Sequence, residues 1–348
     1  MGQIRHRQNL RHRNRGIHPQ RQTIRGNIAA LVGLSLALLT IPAAIAQDTS
    51  APTAAGFDKD TAWQYLLKQC DYGPRVPGTK AHDDCGKYLQ TELAKYCDEV
   101  HLQHLTHLWT YNNQTLQMDN IIGTQNWKDA KVRIVLLAHW DSRPFASQET
   151  DPIKQKMPIL GADDGASGVA VLIELAKALH DQKLPIGVEY LLDDGEDLGP
   201  NMDQMLLGVD YYAKNLPDPK PQYGILLDMI GNKGVRVPIE SNSYVASEDF
   251  IRKFYAFAQK VGLEATFPNK FGDDIEDDHL PLIAAGIPTI DLIDFNYPYW
   301  HTLQDTPDKC SADSLGNVGT MLYKWILQTP PYEVPMSDRV PRTISIGN

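Results

Sequence analysis

Along the chain, apolar and polar positions alternate between two periods. "DKDTAWQYLLKQC" and "AHDDCGKYLQTELAKYC" place their apolar residues three and four apart, which predicts two amphipathic helices separated by the turn "GPRVPG". Strands are predicted at "VHLQHLTHLW", "LQMDNIIGT" and "VRIVLLAHW", and the continuous apolar run of the last is that of a strand buried on both faces. The pattern then changes period repeatedly: helix "GASGVAVLIELAKALHDQ", strand "IGVEYLLDD", helix "DYYAKNL", strand "YGILLDMIG" and helix "SEDFIRKFYAFAQKVG". Strand "IPTIDLI" and helix "SADSLGNVGTMLYKWILQ" close the series, and "IEDDHLPLIAAGIP" reads as a short helix leading into that last strand. Strands alternating with helices predict an α/β fold with a mostly parallel, mixed central sheet covered by helices on both faces.

This reading locates the chemistry. Open α/β sheets bind ligands beyond the carboxyl ends of their strands. The polar residues that end or interrupt the apolar runs fall there: His139 and Asp141, Asp193 to Asp197, Asp228, Asp291 and Asp294. "GADDGASG" at the start of a helix and "YWHTLQDT" after the last strand add Asp163, Asp164 and His301. Singly, each has a structural reading: Asp163 or Asp164 as helix-capping acids, Glu196 and Asp197 as a solvated turn, Trp300 as an apolar contact. Asp228 is harder to dismiss, because a carboxylate inside an apolar strand needs a partner. Together, acids and histidines at several strand ends would repel one another without a cation, and hard carboxylates mixed with imidazoles suit zinc.

The ends and the composition set the context. Residues 1–26 hold seven arginines and no acid, and an apolar stretch closing with Ala44-Ile45-Ala46 follows. These are the parts of a secretory signal peptide, so cleavage after Ala46 and a periplasmic or secreted mature protein are expected; an uncleaved anchor is the alternative, because the stretch is about long enough to span a bilayer. Loss of the seven arginines takes the formal charge from −10 to −17. So acidic a protein disfavours nucleic acid and, once the signal is removed, stable membrane association. The expected organisation is a signal peptide at 1–46, a linker at 47–56, one catalytic domain at 57–330 and a peripheral tail at 331–348. Cys70, Cys85, Cys97 and Cys310 form no zinc-finger spacing and read as a structural disulfide or free buried thiols. If "AHDDCGKYLQTELAKYC" is one helix, Cys85 and Cys97 lie about 18 Å apart and cannot pair.

"AHWDSRP", "GADDGASGVAVLIELA", "LLDDGED", "LLDMIG", "DDHLPLIAAGIP" and "WHTLQDT" resemble, in order and spacing, the motifs of the zinc aminopeptidase superfamily that also contains the glutaminyl cyclases. The resemblance runs from about Phe57 to about Leu327. In the aminopeptidase branch it implies two zinc ions on His139, Asp164, Asp197, Asp228 and His301. In the cyclase branch it implies one zinc on Asp164, Asp197 and His301, with Glu196 as the acid-base residue, and leaves His139 and Asp228 as a possible second metal pair. Two residues favour the cyclases, whose bacterial type the chain resembles. Asp277 stands where aminopeptidases carry a small neutral residue, and is expected to share a proton with Asp228 and so withhold it from a second metal. Trp300, where peptidases more often have Tyr, is expected to wall the site.

There are two departures from the pattern. Asp197 is one methylene shorter than the usual glutamate ligand. "DLGPNMDQMLLG" lacks the tryptophan of animal cyclases, which leaves Phe145 and Tyr299 as candidates for that wall of the substrate pocket. The resemblance therefore implies a cyclotransferase that converts the N-terminal Gln of peptides to pyroglutamate with one zinc. A two-zinc aminopeptidase is the second reading, and a binding or scaffold domain that has lost its chemistry the third.

Overall fold

A computed structural model describes residues 56–328. The expected signal peptide, all of the expected linker but its last residue, the last two residues of the expected catalytic domain and the expected tail lie outside the described residues. Among the described residues, six strands form one sheet. The parallel part is β3 (Arg133–His139), β4 (Gly187–Asp193), β5 (Tyr223–Asp228) and β6 (Thr289–Ile293). β1 (Glu99–Trp109) and β2 (Gln114–Gln125) form a hairpin that joins β4 antiparallel, so the order across the sheet is β1-β2-β4-β3-β5-β6.

Every residue of β3 and β4 is buried, as an apolar run covered on both faces requires. Alternate side chains feed two cores. Ile134, Leu136 and Ala138 of β3 pack with α1 (Lys59–Asp71), α3 (Ala166–Leu179) and α7 (Ala312–Gln328). Val135 and Leu137 pack with α4 (Leu207–Lys214) and α6 (His279–Ala284). The small residues at the start of α3 let it lie close on the sheet: a Cβ on Gly168 would fall 2.3 Å from the Leu227 carbonyl oxygen.

Two helices depart from the sequence expectation. α2 (Lys80–Leu93) stops before Cys97, and all four cysteines are free thiols. α5 (Ser241–Lys260) starts six residues before Ser247, where the apolar periodicity begins. The Glu240 carboxylate accepts from the Asn242 and Ser243 N–H groups and nucleates this extra turn, and the expected start survives as a kink at Ser247. Among the described residues, no helix is long and apolar enough to cross a membrane.

Candidate metal centre

The acids and histidines named from the sequence converge where the parallel strands end. His139 is the last residue of β3 and Asp228 the last of β5. Glu196 and Asp197 follow β4, Asp164 precedes α3, Asp277 precedes α6, and His301 follows β6.

Asp164 stands at the centre. Its Oδ1 lies 3.2 Å from His139 Nε2, and its Oδ2 lies 3.6 Å from His301 Nε2. Asp197 Oδ1 is 3.4 Å from His301 Nε2, and Asp228 Oδ1 is 3.4 Å from His139 Nε2. Two groups of donors result, each with its atoms within 4.8 Å of one another: Asp164, Asp197 and His301, and His139, Asp164 and Asp228. His139 Nε2, Asp164 Oδ2, Asp197 Oδ2 and Asp228 Oδ1 are buried and make no hydrogen bond. Buried polar atoms without partners are costly, and here they face one another as an oxygen and nitrogen set of the kind zinc takes. The residues fit the metal.

Other carboxylates hold the backbone that carries the donors. Asp141 Oδ1 and Oδ2 accept from the N–H groups of Glu196 and Asp197 at 3.2 and 3.3 Å, and Oδ1 lies 3.3 Å from His139 Nδ1. Asp305 does the same for the other loop, accepting from the N–H groups of Asp163 and Asp164 at 2.9 and 3.2 Å while Tyr297 donates its hydroxyl at 2.7 Å. Neither Asp163 nor Asp164 caps α3, whose first turn is entered through Gly165 at φ 97 with no side-chain cap. A Cβ on Gly165 would fall 2.7 Å from the Asp141 carbonyl oxygen, so this position accepts only glycine. His301 itself has φ 53, a conformation that costs energy in a residue with a Cβ and recurs at functional sites.

Burial pushes the Glu196 carboxyl well above the usual carboxylate range, and the negative charge of Asp197 adds to the effect. Asp277 is pushed well up by burial and by Asp228. Burial also works on Asp197, but His301 and Arg143 overcome it and bring the carboxyl down to about 2. Asp277 and Asp228 are electrostatic neighbours without a hydrogen bond between them in the structure. Asp277 Oδ1 is engaged by the Asp278 N–H at 2.6 Å, and Asp228 faces His139. The expected shared proton is therefore not present as a direct contact.

The aromatic candidates separate. Trp300 stacks on His301, with ring centroids 3.9 Å apart, and packs against Phe295. Tyr299 packs against Tyr297 and under Lys309, whereas Phe145 packs on the opposite side with Trp109 and Tyr111.

Two contacts were not anticipated from the sequence. Arg143, inside "AHWDSRP", donates from Nη1 to Asp197 Oδ1 at 2.5 Å, and Ser147 Oγ lies 3.3 Å from His301 Nδ1. The run of polar residues after β3 was a signal for both, but no periodicity distinguishes them from ordinary loop residues.

The family description "Peptidase family M28" matches residues 120–326, which contain every residue of this centre. The chain belongs to that family. It is similar to the aminopeptidase YwaD of Bacillus subtilis, 26% identical over 253 residues, which are 68% of this chain and 49% of YwaD; the match spans about half of that relative's length. It is also similar to the glutaminyl-peptide cyclotransferase of Bos taurus, 25% identical over 324 residues, covering 82% of this chain and 87% of that one. Among solved structures it matches the glutaminyl cyclase of Bacteroides thetaiotaomicron bound to N-acetylhistamine. That likeness has a TM-score of 0.74 at 36% identity and covers 78% of this chain and 98% of the other. The α/β architecture read from the periodicities is the one these proteins share.

Proposed function

We propose that the chain is a zinc-dependent glutaminyl-peptide cyclotransferase, acting on peptides or proteins with N-terminal Gln and releasing ammonia. The observation that carries this reading is Asp277: a buried carboxyl next to Asp228 and acting electrostatically on Glu196, at a site that needs no second acid to hold a metal. The likeness to the Bacteroides cyclase, which covers almost all of that chain, supports it.

One zinc, held by Asp164, Asp197 and His301, would polarise the γ-carboxamide as a Lewis acid. Glu196 takes a proton from the α-amine as the amine nitrogen bonds to the carboxamide carbon Cδ, then returns a proton to the carboxamide nitrogen Nε2, which departs as ammonia when the Cδ–Nε2 bond breaks. Asp228 and Asp277 receive the nitrogen that carries positive charge during this exchange. Trp300, stacked on His301, offers an apolar wall to the Gln methylenes and excludes water. Because nucleophile and electrophile belong to one residue, holding the cyclising geometry supplies much of the rate. The arginine-rich leader supports export of the domain to the periplasm or beyond.

The test is the product. Purified protein incubated with Gln-initiated and Leu-initiated peptides should convert only the first, with a mass loss corresponding to ammonia. Release of free Leu would replace this reading with that of an aminopeptidase.

A further inference from the structure

The hairpin β1–β2 extends past the sheet on the side that carries the centre. Its last pairing with β4 toward that side is Ile121 with Leu192, while β2 begins at Gln114, so its tip stands about 20 Å beyond the strand ends. The tip is tied down to the catalytic loop, because Trp109 Nε1 donates to the carbonyl of Gly199, two residues after Asp197, at 2.7 Å. Next to it, Tyr111 meets the ring of Phe145 edge-on, with centroids 4.7 Å apart.

The segment that carries Phe145 touches two of the proposed zinc ligands: Arg143 binds Asp197 and Ser147 contacts His301. Phe145 therefore sits between the two contacts, on the flank of the centre opposite the Trp300 cluster. Tyr111 is 55% exposed although its ring is already fixed against a neighbour. A tyrosine fixed at the rim of a site offers a large apolar contact area together with a polar tip.

We infer that Tyr111 and Phe145 form the subsite for the side chain that follows the N-terminal Gln, and that they favour an aromatic or large aliphatic residue there. This inference rests on the cyclase reading. The Gln side chain is directed to the Trp300 flank, and the peptide leaves across the opposite flank, where the hairpin tip meets it. A small second residue leaves the pair uncovered, whereas a Phe or Leu covers both rings and removes their apolar surface from water.

The experiment compares kcat/KM for Gln-Phe and Gln-Gly amides in the parent, Tyr111→Ala, Tyr111→Phe and, as a hairpin control, Leu108→Ala. Tyr111→Ala should lower the value for Gln-Phe about tenfold, through KM, and leave Gln-Gly unchanged. Tyr111→Phe and Leu108→Ala should keep the parental ratio. If Tyr111→Ala lowers both peptides equally, or neither, the subsite is overturned while the cyclase reading stands on the pyroglutamate the parent forms. If the parent forms none from either peptide, the cyclase reading fails and this subsite with it.

Discussion

Arg143 donates from Nη1 to Asp197 Oδ1 at 2.5 Å, and both side chains are buried. Asp197, a proposed zinc ligand, is one methylene shorter than its counterpart in the resembled family, and the guanidinium fixes one of its oxygens while leaving Oδ2 without a partner. Partners that orient a ligand in this way are typically worth about ten- to a hundredfold in metal affinity. Arg143→Ala should weaken zinc binding by about tenfold in competition with a chelator, and Arg143→Lys, which keeps the charge but loses the fork, by less. Tighter binding in Arg143→Ala would mean that the arginine acts chiefly by repelling the metal.

Removal of metal tests the donor set as a whole. Dialysed protein should contain about one zinc per chain, as a single polarising metal requires. A chelator should abolish activity and lower Tm, because it leaves the buried donors facing one another unpaired. Two tightly held zinc ions would favour the aminopeptidase assignment of His139 and Asp228.

Glu196→Gln keeps the shape and a hydrogen-bonding group but cannot accept a proton. Turnover should fall by about a hundredfold or more while zinc stays bound. Near-parental turnover would remove Glu196 from the chemistry.

Asp277→Ser should sharply reduce cyclisation without unfolding the protein. Because Asp228 makes no hydrogen bond to Asp277 and already lies 3.4 Å from His139, bound zinc should stay at about one equivalent in the variant. Asp277→Asn should be milder, because its amide oxygen can still accept from the Asp278 N–H. Unchanged cyclisation in Asp277→Ser would reduce the residue to a local turn former.

Glu240 provides a test of stability against pH. It is buried, and its carboxylate accepts from the N–H groups of Asn242, Ser243 and Ile275 and faces His279. Burial opposes ionisation, but His279 and these donors prevail and hold the carboxyl at about 2, below its ordinary 4.5. A carboxyl depressed in the folded state stabilises it above the unfolded value and loses that contribution as pH falls through the folded one. Glu240→Gln should therefore cost about 2 kcal/mol at neutral pH, and its difference from the parent should shrink between pH 4.5 and pH 2 in denaturant titrations.

The sheet was legible because its strands are buried on both faces and carry unbroken apolar runs, as "RIVLLA" does. His139 and Asp228 were legible because polar residues ending such runs have few structural reasons to be there, whereas Asp164, Asp197 and His301 were singled out as donors by the resemblance of their motifs. Boundaries set by side-chain to backbone hydrogen bonds were not: the first turn of α5 depends on Glu240, and nothing in the periodicity announces it. Arg143, Ser147 and Asp305 were missed as working parts because their roles arise from contacts across 54, 154 and 142 residues. Asp277 was placed in the right neighbourhood, but its partner was not: Asp278 takes one oxygen through its N–H, a contact between adjacent residues that side-chain chemistry does not reveal.

The grip of Asp305 on the N–H groups of Asp163 and Asp164 bears on how the protein comes into being. The loop that carries Asp164 is fastened by a residue synthesised more than 140 positions later, and His301 arrives with it. Local order can form early in such a chain, but loop closure over this span comes late. A nascent or partly folded chain therefore has helices and strands before it has a competent metal centre. Because metal affinity draws on the folded geometry, zinc acquisition reports completion of the fold, and a chain halted before its last strand would be unable to act on any peptide it met.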